Sequence, residues 1–326
     1  MRVIYSPNNE SVTDNRHTGV GLGTFDGLHI GHMALINTLV SESKLLGLKS
    51  VVYTFLKHPS NVIKEKPFTS LITSPDKKIE LLSETNVDYL YFEEFNANFR
   101  KLSSEGFVKN ILVDKLLIKL AVVGFNYRFG HKGQGDVNEL KRFGQKYGFE
   151  VIVIPEIRID NESISSTIIR EHIKKGNLDK VFKLLGRHYS INGRVTSGKK
   201  IGNTLGYPTA NIEPADYLAL PPFGVYITCT LIQGKKHYSV TNIGLNPTIG
   251  SLKRPIIETH ILNLNQNLYN EKIEVYFISK LREERIFNNK NELAVQICSD
   301  VKSAKDYFSL YEGNGRGRQS DDSSKE

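Results

Sequence analysis

The sequence predicts an α/β domain built on a parallel sheet, followed by a domain that is an antiparallel barrel or sandwich. Strand-like and helix-like segments alternate as far as residue 184, a pattern that places helices over both faces of a parallel sheet. From residue 185 to 311 short β-rich segments succeed one another, broken by Gly, Asn and Pro, with a long helical segment only near the end. The length, 326 residues, suits two domains better than one.

The elements follow in order. GVGLGTF (Gly19–Phe25) reads as a strand ending in a turn, and Gly31–Gly47 as a helix. In that helix Leu35, Leu39, Leu45 and Leu46 recur at helical spacing until Gly47 stops them. Lys49–Phe55 is β-branched and apolar, the next strand. Ser74 followed by Pro75 is a helix start, cap then first position. Further strands are expected at Val87–Phe95, Leu120–Gly130 and Phe149–Ile157, with helices at Ser103–Leu116 and Gly135–Gly148. A helical stretch at Ser166–Gly186 closes the domain. Beyond it, strands are expected at Tyr189–Gly198, Gly224–Gly244 (with a hairpin turn at Gln233-Gly234), Ile256–Leu262 and Lys272–Leu281, then a helix at Asn289–Phe308. Residues 312–326 are Gly, Ser and charge with nothing to bury and are expected to be disordered.

Composition narrows the class. Hydrophobic residues make up 39% and charged residues 24%, an ordinary globular balance. No apolar run approaches the roughly 20 residues that span a bilayer, and no apolar core follows Arg2 as in a secretion signal. Two cysteines, Cys229 and Cys298, exclude a disulfide framework and a cysteine metal cluster, so a reducing cytoplasm is expected. The net charge of +8 fits a nucleic-acid binder or an enzyme that handles phosphates. Lys and Arg are scattered along the chain, with no recognition helix or aromatic-basic stripe, and this favours the enzyme.

Leu22–His32, LGTFDGLHIGH, joins a strand to a helix N-terminus, where backbone N–H groups and the helix dipole favour a phosphate. Gly23, Gly27 and Gly31 let the backbone approach such a ligand, and His29 and His32 can donate to phosphoryl oxygens as charge develops. Zinc fits less well, because no further ligands stand nearby. In ISSTIIRE, Ser165, Ser166 and Thr167 precede a helix and either gather an anion or cap it. Asp26 reads as a phosphate-loop residue or as a turn-stabilising side chain.

In the second half, Gly193–Ile212 (GRVTSGKKIGNTLGYPTANI) carries Gly198, Gly202 and Gly206 but lacks the P-loop arrangement. Its backbone can still wrap phosphates. Thr209 and Asn211 alternate on an extended segment and offer hard oxygen ligands suited to Mg²⁺. Glu258, within IIETHIL, is either an exposed edge residue or the base that frees an alcohol for phosphorylation. A half-buried carboxylate with raised proton affinity would suit the second task.

These segments carry a resemblance. HIGH, His29–His32, matches the HxGH signature of the nucleotidyltransferase superfamily, whose two histidines act on the α-phosphate of a nucleoside triphosphate. Gly124–Gly135 and Ile164–Glu171 resemble the second and third motifs of bacterial FAD synthetases, and PTAN (Pro208–Asn211) resembles the flavokinase family. Up to about Tyr311 the chain resembles the prokaryotic bifunctional riboflavin kinase/FMN adenylyltransferases.

That resemblance implies a Rossmann-like nucleotidyltransferase domain in residues 1–184 and a riboflavin kinase barrel in 185–311. It implies riboflavin, FMN and ATP as small-molecule partners, FMN and FAD as products and Mg²⁺ as cofactor. No nucleic-acid or membrane partner is expected, and the enzyme would be a monomer or weak homo-oligomer. His29 and His32 would serve adenylyl transfer, and Glu258 would deprotonate the ribityl 5′-hydroxyl. Gly23, Phe25, Asp26, Gly31, Asn126, Ser165, Ser166, Thr167, Arg170, Gly198, Gly202 and Gly206 would bind nucleotide phosphates. Thr209 and Asn211 would hold Mg²⁺, and His58, Pro59, Tyr127 and Arg282 would touch the flavin, Arg282 competing with an ion pair to Glu283 or Glu284.

Three departures from the family stand out. Leu56 and Lys57 replace the Asp-Pro of its Phe-Asp-Pro-His-Pro run, which raises the alternative of a kinase with an impaired adenylyltransferase half. Tyr127 stands where phenylalanine is common, and Asn270 where glycine often turns the chain. Asn tolerates the left-handed conformation, so that turn is expected to survive.

Overall fold

The computed structural model describes residues 1–6, 16–62, 68–197, 205–247 and 253–313. Its contacts separate the chain into two units. The first comprises Met1–Glu171, Leu184–Gly186 and Tyr217–Ala219; the second holds the remainder, including His172–Lys183.

In the first unit β1 (Arg2–Tyr5), β2 (Thr18–Leu22), β3 (Lys49–Phe55), β4 (Tyr89–Glu93), β5 (Ile118–Gly124) and β6 (Glu150–Ile154) form one parallel sheet. Their order is β1-β4-β3-β2-β5-β6. The direction of winding therefore reverses between β2 and β5, and at such a switch point the carboxyl ends of the strands open a crevice. Helices α1 (Ile30–Leu45), α2 (Pro59–Val62), α3 (Pro75–Ser83), α4 (Ala97–Arg100), α5 (Ser104–Gly106) and α6 (Val137–Tyr147) connect the strands. Two buried clusters result. One packs Leu35, Ile36 and Leu39 of α1 with Val52, Leu90 and Val122, and the other packs Val51, Tyr53 and Tyr91 with Phe107, Val108 and Leu112.

Local signals act as the sequence suggests. Ser74 caps α3, its hydroxyl accepting from the Lys77 N–H at 3.2 Å, and Asp136 caps α6, which ends on left-handed Gly148. Three details differ. β1 was not anticipated: four residues at the sheet edge carry too short a pattern to read. The helix expected at Ser103–Leu116 is a single turn continued as a wide π-type helix, Phe107–Lys115, closed by Leu116 N–H donating to Ile111 C=O at 2.9 Å. The stretch Ser166–Gly186 is two helices, α7 (Ser166–Lys175) and α8 (Leu178–Leu185), because Gly176 takes φ +74° between them.

β7 (Arg158–Ile159) and β8 (Glu162–Ser163) make a small ribbon. The second unit is a closed barrel of β9 (Tyr189–Thr196), β10 (Ala210–Ile212), β11 (Gly224–Ile232), β12 (Lys235–Pro247), β13 (Lys253–Ile261) and β14 (Lys272–Arg282), in the order β10-β13-β12-β11-β14-β9, all pairs antiparallel. Gln233 and Gly234, at φ +47° and +80°, make the tight turn between β11 and β12, the twist that a two-residue hairpin prefers. Asn270 is left-handed at φ +66°, so that turn survives its substitution.

The barrel interior is not wholly apolar. Fully buried hydroxyls of Thr228, Thr230, Ser239, Thr241 and Thr259 bond to one another, Thr228 lying 2.7 Å from both Ser239 and Thr241. A saturated network of this kind fixes strand register without leaving a buried polar atom unpaired. Helix α9 (Lys290–Gly313) lays Ala304 and Phe308 over Val225, Ile227 and Val240. It extends to Gly313, and the rest of the tail expected from residue 312 lies outside the described residues.

Candidate active sites

A cavity of about 1000 Å³ opens at the switch point of the first unit. Its floor comes from strand ends: Leu22 and Gly23 after β2, Tyr53 and Phe55 of β3, Gly124 of β5 and Ile154 of β6. His29 and His32 both line it. His29 is the N-cap of α1, its Nδ1 accepting from the His32 N–H at 3.2 Å, and the two rings stack with centroids 3.6 Å apart. Glycines at 23 and 31 leave the approach open, while Gly27 supplies a left-handed φ of +85° in the loop behind it.

The third motif meets this loop directly. Ser166 Oγ donates to the Asp26 carbonyl oxygen at 2.8 Å, and Arg170 Nη2 lies 3.0 Å from Asp26 Oδ2. Asp26 is 2% exposed and also accepts from the N–H groups of Ile72 and Thr73. The expectation that Asp26 binds phosphate is therefore corrected: its carboxylate is spent inside the protein and does not line the cavity. Ser165 acts as a helix cap, accepting from the Ile168 N–H at 3.3 Å, while Thr167 and Arg170 reach the cavity wall. Arg170 Nε is buried with no hydrogen-bond partner among the described residues.

Asn126, His58, Pro59 and Tyr127 also line the cavity. Burial pushes the Tyr127 hydroxyl above its ordinary range, and its ring stacks on Phe129 at 5.7 Å. Leu56 and Lys57, the departures from the family run, are exposed and do not line it. Two groups were missed in the sequence. Arg100, Arg128, Lys132 and Arg170 line the cavity, with no carboxylate among the described lining residues. A ring of aromatics, including Tyr53, Phe55, Phe95, Phe99 and Phe107, occupies one part of the wall, with neighbouring centroids 5.5–6.2 Å apart. Neither group has a local motif, since strand order brings them together from distant segments.

On the barrel, Asn211 of β10 stands directly across from Glu258 of β13, and Glu258 directly across from Asn242 of β12. Directly opposed residues share a face of the sheet, so the three form a row. Asn242 was not singled out, although its segment was. Asn211 is 5% exposed and its Oδ1 has no hydrogen-bond partner among the described residues. Glu258 is half-buried. Thr209 is half-buried too, just before β10, and Gly206 has φ +81°. Gly198 and Gly202 lie outside the described residues. Arg282 makes a two-pronged ion pair with Asp300 of α9, at 2.8–3.1 Å, in place of the pairs considered with Glu283 and Glu284, and its Nη1 donates to the Glu283 carbonyl oxygen at 3.0 Å.

Comparison with known proteins covers both units. Residues 11–168 match the FAD synthetase family and residues 185–308 the riboflavin kinase family. The bifunctional riboflavin kinase/FMN adenylyltransferase of Buchnera aphidicola subsp. Schizaphis graminum is 39% identical, over 91% of this chain and 96% of its own. The protein of the same name from Escherichia coli K12 is 32% identical, over 95% and 99%. A crystal structure named a macrolide-efflux protein, from Streptococcus pneumoniae, superposes with a TM-score of 0.84 at 29% identity, over 94% of this chain and 99% of that one. Among the described residues here, no helix is long and apolar enough to cross a membrane. With both family matches in the same order as the parallel-sheet unit and the barrel, the chain belongs to the bifunctional riboflavin kinase/FMN adenylyltransferase family.

Proposed function

We propose that the barrel phosphorylates riboflavin to FMN with ATP and that the first unit adenylylates FMN to FAD with release of pyrophosphate. The observation that carries the second half is the make-up of the 1000 Å³ cavity: stacked histidines, four cations with no carboxylate among the described lining residues, and an aromatic wall. A triphosphate needs the first two features and an isoalloxazine ring the third. Attack by the FMN phosphate on the α-phosphorus builds charge on its oxygens, and His29 and His32 sit where the helix N-terminus already favours that charge. Thr167, Asn126 and Arg170 hold the nucleotide, and Tyr127, His58 and Pro59 border the flavin.

On the barrel, Glu258 takes the proton of the ribityl 5′-hydroxyl as that oxygen attacks the γ-phosphorus of ATP. Thr209 and Asn211 would hold Mg²⁺, and the unpartnered, buried Oδ1 of Asn211 fits a hard cation. When bound, the ion neutralises phosphate charge during transfer. Gly206 belongs to the phosphate-wrapping segment.

Both domain families match, so a kinase with an impaired adenylyltransferase half is not favoured. Leu56 and Lys57 are exposed and are not among the residues that line the cavity. We place the enzyme in the cytoplasm as a monomer or weak homo-oligomer with no nucleic-acid or membrane partner, on its cysteine usage and dispersed charge. The test is flavin chromatography of Glu258→Ala and of the double variant His29→Ala, His32→Ala, each expected to lose one conversion and keep the other.

A further inference from the structure

One charged group near the adenylyl-transfer loop has no part in the scheme above. Lys78 of α3 is only 7% exposed. Its Nζ donates to the Thr24 carbonyl oxygen at 2.8 Å and lies 3.4 Å from Thr54 Oγ1, which donates to the same carbonyl at 2.9 Å. Thr24 opens a segment under strain. Phe25, Gly27 and Leu28 take φ of +46°, +85° and +41°, and both side-chain-bearing residues are fully buried. Left-handed non-glycine residues persist only where their surroundings over-determine them. Here the fixings are Lys78 and Thr54 at one end and Asp26, tied to α7 by Arg170, at the other. The segment delivers His29 to the start of α1.

We propose that Lys78 is a positioning residue for adenylyl transfer: its buried ammonium anchors the Thr24 carbonyl beside the Asp26 carboxylate and so keeps His29 and His32 aimed into the cavity. The inference rests on the adenylyltransferase reading of that cavity. Among the described residues, Asp26 from the loop acts on the ammonium directly, His58 from the segment after β3 lines the same small pocket, and Arg170 of α7 is paired to Asp26. Burial lowers the Lys78 pKa to about 8, against an opposing pull from Asp26.

The sign of the pH effect separates positioning from mere support. As pH rises through 8 the ammonium loses its proton, its charge-assisted hydrogen bond to the carbonyl weakens to that of a neutral amine, and FAD formation falls. Stability moves the other way. Between pH 8 and 10 the unfolded chain keeps the Lys78 proton that the folded one has shed, so this group makes the fold more stable as pH rises.

The test uses the full-length chain, following FAD formation from FMN and ATP, and FMN formation from riboflavin, between pH 6.5 and 9.5. For the native enzyme, FAD formation is expected to decline above pH 8 while FMN formation does not share that limb. Lys78→Met should reduce kcat for FAD formation about 100-fold, the scale of a small misplacement of catalytic groups, with riboflavin phosphorylation within twofold of native. Lys78→Arg, whose charge persists, should recover activity at pH 7.5 and lack the limb near pH 8. Full FAD formation by Lys78→Met, or the same alkaline limb in Lys78→Arg and native enzyme, overturns the proposal. If neither variant folds, the native profile decides alone, and the absence of a limb overturns it. A native enzyme that makes no FAD at any pH instead refutes the reading of the cavity on which the proposal rests.

Discussion

At Glu258 the sequence offers two readings, an exposed edge residue or a base, and the base is the one proposed above. Asn211 on one side and Asn242 on the other share its face, and the buried Asn211 amide oxygen has no hydrogen-bond partner among the described residues. Replacing Glu258 with Ala removes the base. Riboflavin phosphorylation should fall about 10³-fold, within the usual range for a general base, with FMN adenylylation unchanged; equal loss of both activities would contradict separate sites. For the histidines the converse holds. Each should stabilise the transferring phosphoryl group, so the double alanine variant should lose FAD formation by at least about 10³-fold and keep FMN formation, read by chromatography of the flavin products. Arg282 shows how a residue reading fails. A cation near a strand end invites a ligand, yet Asp300, eighteen positions away on another element, takes both prongs of its guanidinium.

Among elements, the junction of β2 with α1 does the most for function, and it is held by contacts from three other segments: α3 through Lys78, α7 through Ser166 and Arg170, and the Ile72–Thr73 backbone through Asp26. Asp26→Ala strands the Ile72 and Thr73 amides and leaves two buried cations without their carboxylate. Loss of one partner from a buried ion pair costs about 3–5 kcal/mol, so hydrogen exchange at those two amides should accelerate markedly and FAD formation should drop. Unchanged protection at Ile72 and Thr73 would show that Asp26 is not the clamp. The junction itself was legible, because strand, glycine loop, histidines and helix start are adjacent in the chain. Its supports were not. Lys78 reads as one more lysine on a helix, and only the strand order places α3 beneath the loop. Edge strand β1 escaped because four residues are too few to show a period, and at Phe107–Lys115 the pattern showed a helix but not its wide π-type winding.

For the whole molecule, alternation of strands and helices foretold the parallel-sheet unit, and closely spaced strands left the second as a barrel or a sandwich until the family resemblance chose the barrel, because periodicity repeats over many residues but does not show how a sheet closes. The cavity wall was much less legible. Tyr53, Phe95 and Phe107 come from three separate segments, as do Arg100, Arg128 and Lys132 in part, and nothing in local sequence distinguishes them from core aromatics or solvated cations. The net charge of +8 finds a partial explanation there, since the charged residues among the described lining of the cavity are all cations.

Two ATP-using pockets on separate units, acting in turn on one flavin, remain the central claim. Purified protein incubated with riboflavin, ATP and Mg²⁺ should first accumulate FMN and then FAD, with pyrophosphate appearing in step with FAD. Riboflavin left unchanged, together with FMN left unchanged when supplied in its place, would contradict it.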